Sequence, residues 1–234
     1  MDNAPVITVD GPSGTGKGTV CVKLAGRLGW HFLDSGALYR VLAHAALIND
    51  VSLGNESALA SMAASLDVSF ESSHAESAPR IILSGQDVTD AIRTEECGNA
   101  ASRLATYNKV RKALLERQRA FRRPPGLIAD GRDMGTVVFP DAALKLFLTA
   151  SPEERAKRRH KQLKQKGINA SLQHLSGVIA ERDSRDKGRS VSPLKAAADA
   201  IVIDTTELDV TEVNSKVLEL VRMKFPENSG IPSD

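Results

Sequence analysis

Aromatic residues are scarce in this chain of 234 residues: Phe, Trp and Tyr together make up 4%. A core built from it must rest mainly on Leu, Val, Ile and Ala. Cysteine is scarcer still. Cys21 and Cys97 form no C-x-x-C pair, and two cysteines make no disulfide framework. They are expected to be idle thiols in a reducing cytoplasm. No apolar run approaches the roughly 18 residues of a membrane span, and the opening MDNAPVITVDG lacks a charged-then-apolar leader pattern. The chain is therefore read as cytoplasmic, without a membrane partner. The five histidines are scattered, so each reads as surface or core rather than as a metal ligand. Repeats and low-complexity blocks are absent. The net charge of +2 is too small to argue by itself for nucleic acid. Its distribution says more, because basic residues crowd between Arg103 and Arg123 and again between Arg155 and Arg189. A basic cleft for an anionic small molecule fits that pattern as well as RNA does.

What is present is an ordinary globular composition, 41% hydrophobic and 26% charged, and a length that suits one core carrying insertions. The stretch that organises it begins at Pro5. Val6-Ile7-Thr8-Val9 reads as a short buried strand, ended by Asp10 and Gly11. Gly14, Gly16 and Lys17 follow, then a helix with Val20, Leu24 and Leu28 four apart. Strand, glycine loop, lysine and helix make the order of a phosphate-binding P-loop. Glycines let successive N–H groups curl round a phosphate, the helix N-terminus adds its positive end, and Lys17 brings a full charge to the outer phosphates. One departure stands out: Gly18 follows Lys17 where the usual pattern has a hydroxyl, and Thr19 comes one position later.

Further along, Trp30–Leu33 reads as a second strand, ending in Asp34-Ser35-Gly36, a turn with an N-cap candidate. The next helix carries Tyr39 and Arg40 on its first turns, at the carboxyl end of a strand, where α/β sheets bind ligands. From Val51 to Gly98 the pattern changes to one short helix and three short strands near 67–71, 80–84 and 86–88, a small antiparallel insert. Two helices follow, then a strand at Leu127–Asp130 with the loop Gly131-Arg132-Asp133-Met134-Gly135 at its end. Leu144–Leu148 is another strand, Ser151-Pro152 caps a basic helix, and a second helix ends near Arg185. The last strand is Ala200–Asp204, the last helix Leu208–Lys224. Five strands alternating with helices predict an α/β P-loop kinase core: a five-stranded parallel sheet flanked by helices, with the antiparallel insert and a short helical lid. The expected divisions are a core at 1–50, 99–151 and 191–225, the insert at 51–98, the lid at 152–190 and a flexible tail at 226–234.

Chemistry gathers at three places. Arg155, Arg158, Arg159, Arg182, Arg185 and Arg189 stud the segment between the fourth and fifth core strands. Phosphoryl transfer needs cations that neutralise moving charge and a site that excludes water, and such a segment can supply both by closing. Lys157, Lys161 and Lys164 read instead as a solvated face. Asp186 lies four after Arg182 and three before Arg189, so the three share one side of the helix end. Arg132-Asp133 points into the crevice after its strand, fit to grip a phosphate and a base edge. Asp130, ending that strand, is a plausible water-mediated magnesium partner. A different small-molecule P-loop kinase and a nucleotide-dependent, RNA-associated switch are the alternative readings; the insert and Arg132-Asp133 weigh against the first, and the absence of a long basic arm against the second.

ITVDGPSGTGKGT, LDSGALYR, GLIADGRDMGTVVFPDA and ERDSRDKGRS, in this order and spacing, resemble the bacterial cytidylate kinases from about Pro5 to Lys224. The G-K-G-T ending resembles that of nucleoside monophosphate kinases in general and accounts for Gly18. The resemblance implies transfer of the γ-phosphate of ATP to CMP or dCMP, with Mg2+; the chain is expected to be a monomer. It implies that Gly11, Pro12, Ser13, Gly14, Thr15, Gly16, Lys17, Gly18 and Thr19 hold ATP; Arg158 is assigned with them. Ser35, Tyr39 and Arg40 fall at the CMP site. Ser102, Arg111 and Asp133 are implied to meet cytosine, Arg132 the CMP phosphate, and Arg182 and Asp186 the sugar, with Arg189 completing the cluster. Lys17, Arg132, Arg182 and Arg189 form the catalytic set, and Thr19 with Asp130 the metal set.

Overall fold

The structure is a computed structural model, and it describes residues 4–71, 79–165, 167–189 and 191–226. Residues 72–78 and, of the expected tail at 226–234, residues 227–234 lie outside those described.

The chain runs β1 (Val6–Asp10), α1 (Lys17–Leu28), β2 (His31–Asp34), α2 (Ser35–Ile48), α3 (Glu56–Ala64), β3 (Val68–Glu71), β4 (Arg80–Leu83) and β5 (Gln86–Asp87). It continues through α4 (Glu95–Leu104), α5 (Asn108–Arg119), β6 (Leu127–Gly131), β7 (Leu144–Thr149), α6 (Pro152–Gln165), α7 (Leu172–Lys187), β8 (Ile201–Asp204) and α8 (Val210–Lys224). The core sheet has five parallel strands in the order β2-β6-β1-β7-β8, with Val9 opposite Asp130 and Leu146. Every residue of β1 and β6 is buried, as expected of central parallel strands covered on both faces. Ile7, Val9 and Leu146 pack with Val20, Leu24, Val213 and Val217 from α1 and α8. The opposite face packs Val6, Leu127 and Ala129 against Leu38, Met134 and Phe139.

β3, β4 and β5 form the expected separate antiparallel sheet. Its apolar side shares one core with α2, α3, α4 and α5, through Ile81, Leu83, Val41, Leu59, Leu104 and Leu114. Two helix starts follow the sequence signals, Asp34 accepting from Ala37 N at 2.9 Å and Ser151 from Glu154 N at 3.2 Å; the last helix begins at Val210, two residues later than expected, where Asp209 closes a capping box with Glu212.

One local feature differs from the expected loop after β6. Met134–Val138 forms a π-helical turn. Its entry is fixed from below: Asp10, ending β1, accepts from Met134 N at 2.9 Å and Gly135 N at 2.8 Å. A Cβ on Gly135 would stand 2.8 Å from Thr8 Oγ1, so glycine permits the close approach. That seam joins the P-loop strand to the segment bearing Arg132 and Asp133.

Candidate active site

The P-loop turns on glycine. Gly11, Gly14 and Gly16 have φ of 145°, 84° and 88°, where side chains are disfavoured. A Cβ on Gly11 would also run into the Leu148 carbonyl oxygen. Lys17 opens α1 only 5% exposed, and its Nζ donates to Pro12 O at 2.7 Å across the loop. Burial, with Arg132 beside it, holds its pKa below the usual lysine range; Asp130 pulls the other way. Burial drives the Asp130 carboxyl up, and Lys17 partly offsets that. The site thus keeps a carboxyl and an ammonium side by side in a dry place, where each is sensitive to charge brought in by a ligand. Gly18 faces this carboxyl: a Cβ there would lie 3.5 Å from Asp130 Oδ2.

Ahead of the loop lies a cleft of about 230 Å³. All ten residues expected to meet CMP line it: Ser35, Tyr39 and Arg40 from α2, Ser102 from α4, Arg111 from α5, Arg132 and Asp133 after β6, and Arg182, Asp186 and Arg189 at the end of α7. Ser13, Lys17 and Asp130 line it too. Residues from six segments converge because the carboxyl ends of β1, β2 and β6 open here and α4, α5 and α7 wall it.

The charges are paired across segments. Arg111 forms an ion pair with Asp133, both nearly buried. Asp186 accepts from Arg132 Nε at 2.9 Å on one oxygen and from Arg189 on the other. Burial would raise the Asp186 carboxyl, but the two guanidiniums outweigh it and hold it below the carboxylate range. Arg40 donates to the carbonyls of Ile92 at 2.9 Å and Thr94 at 3.2 Å, and Arg182 to that of Gly98 at 3.1 Å. Burial, Arg132 and Arg40 press the Arg182 guanidinium down to about 10. Arg40 and Arg182 are thus cations anchored on backbone oxygens beside a third cation, an arrangement that favours an incoming anion. Ser102 Oγ, Arg111 Nε and Arg189 Nε are buried without a hydrogen-bond partner, which is costly unless a ligand supplies one. Burial lifts the Tyr39 phenol to about 12, so it stays a neutral O–H.

Other expected residues stand outside the cleft. Thr19 is exposed on α1. Arg158 donates to Thr205 Oγ1 at 3.1 Å and to the carbonyl of Thr205 at 2.5 Å, and Thr205 Oγ1 lies 3.3 Å from Thr15 O. It thereby braces the turn after β8 against the P-loop. Lys157, Lys161 and Lys164 are exposed, as read from the sequence. Among the described residues no group of three or more His, Cys, Asp or Glu side chains could hold a metal alone. No helix among them is long and apolar enough to cross a membrane.

Sequence reasoning missed three residues. Gln118, 3% exposed, donates to Ser35 Oγ at 3.0 Å; a polar residue on the apolar face of α5 was the available signal. Asp183 pairs with Arg155, with only its place inside the ERDSRD run to mark it. Asp10 is the third. Burial lifts its carboxyl to about 6 against the pull of the Gly135 and Met134 N–H groups. Between its unfolded value of about 4 and its folded value, the native state holds this proton more tightly than the unfolded chain. Its contribution to stability therefore falls as pH rises through that window. The Tm advantage of the wild type over Asp10→Ala is expected to shrink between pH 4 and pH 6.5, measured by thermal melts; a constant difference would refute the shift.

A family model described as cytidylate kinase matches residues 7–223. The chain is similar to a protein named cytidylate kinase from Aeromonas salmonicida, 57% identical over 227 residues, or 97% of this chain and 98% of that one. A cytidylate kinase from Methylococcus capsulatus is 59% identical over 222 residues, covering 95% and 99% of the two chains. One from Aeromonas hydrophila is 60% identical over 215 residues, covering 92% and 93%.

Proposed function

The chain belongs to the cytidylate kinase family, and from that premise we propose that its cleft transfers the γ-phosphoryl group of ATP to CMP or dCMP, giving ADP and CDP or dCDP. The observation that carries the reading is the convergence, on one cleft beside the P-loop, of five arginines with Asp133 and Asp186; Arg111 Nε, Arg189 Nε and the neighbouring Ser102 Oγ are buried there without a hydrogen-bond partner.

The donor is held by the P-loop N–H groups and the α1 N-terminus, with Lys17 on its outer phosphates. The acceptor phosphate lies among Arg40, Arg132, Arg182 and Arg189. Lys17 and these arginines surround the phosphoryl group in transit and spread its charge, so positioning and electrostatics supply the rate. No general base is needed. Asp133 accepts from the exocyclic amine of cytosine and Arg111 donates to its ring acceptors; uracil, with a carbonyl at that edge, mismatches Asp133. Asp186 takes the sugar hydroxyls. The donor set suits a magnesium ion arriving with ATP: Asp130 offers a carboxyl beside the loop and Thr19 a hydroxyl, and among the described residues no group of three or more His, Cys, Asp or Glu side chains forms an all-protein cage. Such an ion supplies neutralisation of the phosphate oxygens. A cytoplasmic monomer divided into core, insert and lid goes with this reading.

The test is ADP release from ATP and Mg2+ against CMP, dCMP, UMP, AMP and GMP. Release that requires CMP or dCMP is expected. Faster turnover with UMP or AMP, or ADP release indifferent to every acceptor, would overturn the assignment; the latter would favour a nucleotide switch.

A further inference from the structure

Arg155, on the first turn of α6, is 2% exposed and does not line the cleft. Its Nε donates to Ala150 O at 3.2 Å, beyond the end of β7. Its Nη1 donates to the P-loop carbonyl of Ser13 at 3.2 Å and to Asp183 Oδ1 at 3.0 Å, while Nη2 meets Asp183 Oδ2. The guanidinium fork therefore grips Asp183 with two bonds and the phosphate loop with a third. The loop also rests on the arginine stem: a Cβ on Gly14 would lie 3.0 Å from Arg155 Cβ. Asp183 sits on α7 between Arg182 and Asp186, both of which enter the cleft, whereas Asp183 itself does not line it. Neither member of the pair is needed to explain nucleotide contact, yet together they connect the loop that holds the donor to the helix that holds the acceptor.

We propose that Arg155 and Asp183 form a positioning strut that sets the distance between the donor phosphates on the P-loop and the acceptor groups on α7. The inference rests on the phosphoryl-transfer reading above. In-line transfer demands that the reacting oxygen approach to about 3–3.5 Å of the phosphorus, and an error of about 1 Å costs on the order of 100-fold in rate. Fixing α7 to the loop through a bidentate ion pair restricts that error while leaving both nucleotide sites intact.

The experiment is steady-state kinetics, with ATP and CMP varied separately, on wild type, Asp183→Asn and Arg155→Lys. Asp183→Asn keeps the shape but weakens the grip; Arg155→Lys keeps the charge but lacks the fork. The strut predicts a kcat loss of about 10- to 100-fold in Asp183→Asn and a smaller loss in Arg155→Lys, with KM for both nucleotides within about threefold of wild type. A double variant no slower than Asp183→Asn is expected, since both changes cut one link. If kcat stays within twofold, or if the loss is carried in KM for either nucleotide, the strut is refuted. A purely structural role would lower Tm without lowering the kcat of the folded enzyme, and that also refutes it. Should Asp183→Asn fail to fold, Arg155→Lys decides. Absence of CMP-dependent turnover in the wild type would instead sink the kinase reading itself.

Discussion

Lys17→Ala is expected to lower kcat by about 10³-fold with the fold retained. The magnitude follows from removing a preorganised positive group from a dry site where charge is redistributed; single donors of that kind are worth about 10²–10³ in rate. No second lysine lines the cleft among the described residues, and the arginines there serve the acceptor side, where Arg132 and Arg189 also meet Asp186. Retention of the fold is less obvious, because Lys17 is buried and its charge acts on the buried Asp130 carboxyl, and leaving a buried charge without its compensating neighbour costs about 3–5 kcal/mol when it must stay charged. Asp130 need not. Burial already drives its carboxyl upward, with Lys17 opposing, so losing the ammonium shifts it further toward the neutral, protonated form. The loss in Tm is thereby limited. Single-turnover kinetics and a thermal melt at pH 7 check both halves. Near-normal kcat would remove Lys17 from the transfer step, and an unfolded variant would show that the loop depends on its bond to Pro12 O.

Asp133→Ala is expected to raise KM for CMP by about 30- to 150-fold, corresponding to about 2–3 kcal/mol for hydrogen bonds to a charged group, with KM for ATP within about threefold. The asymmetry comes from placement: Asp133 lies on the acceptor wall, paired with Arg111, away from the glycine loop. Truncation also strands the Arg111 guanidinium, whose remaining contact is Ala105 O at 3.4 Å. Asp133→Asn gives a sharper readout. An amide can donate to the uracil carbonyl, so the preference for CMP over UMP, taken as the ratio of kcat/KM values, should fall by at least about tenfold. Equal losses for both nucleotides would indicate a folding defect, and an unchanged preference would move base recognition away from Asp133.

Much of the fold was legible in the residues because its causes are local. Positive φ at Gly11, Gly14 and Gly16 requires glycine. The apolar blocks of β1 and β6 mark strands covered on both faces, and the turn at Asp34 and the Ser151-Pro152 pair announce helix starts by the side-chain oxygens they offer. The cleft residues were legible for a different reason, since the family motifs mark them together although they lie on separate segments. The π-helical turn at Met134–Val138 was not legible. Its local sequence reads as a loop, and what shapes it is a carboxylate more than a hundred residues earlier, Asp10.

By itself the sequence determined the glycine loop, the succession of strands and helices, and which residues line the cleft beside that loop. Tertiary structure alone decided who pairs with whom. Arg132 turns to Asp186, not to its neighbour Asp133, which takes Arg111. Arg158 braces the turn after β8 instead of entering the cleft, and Arg155 reaches both Asp183 and the phosphate loop. The reason is physical: periodicity records which face of an element is apolar, but not which element covers it. An ion pair forms where two chain segments meet in space, and no property of either segment encodes that meeting.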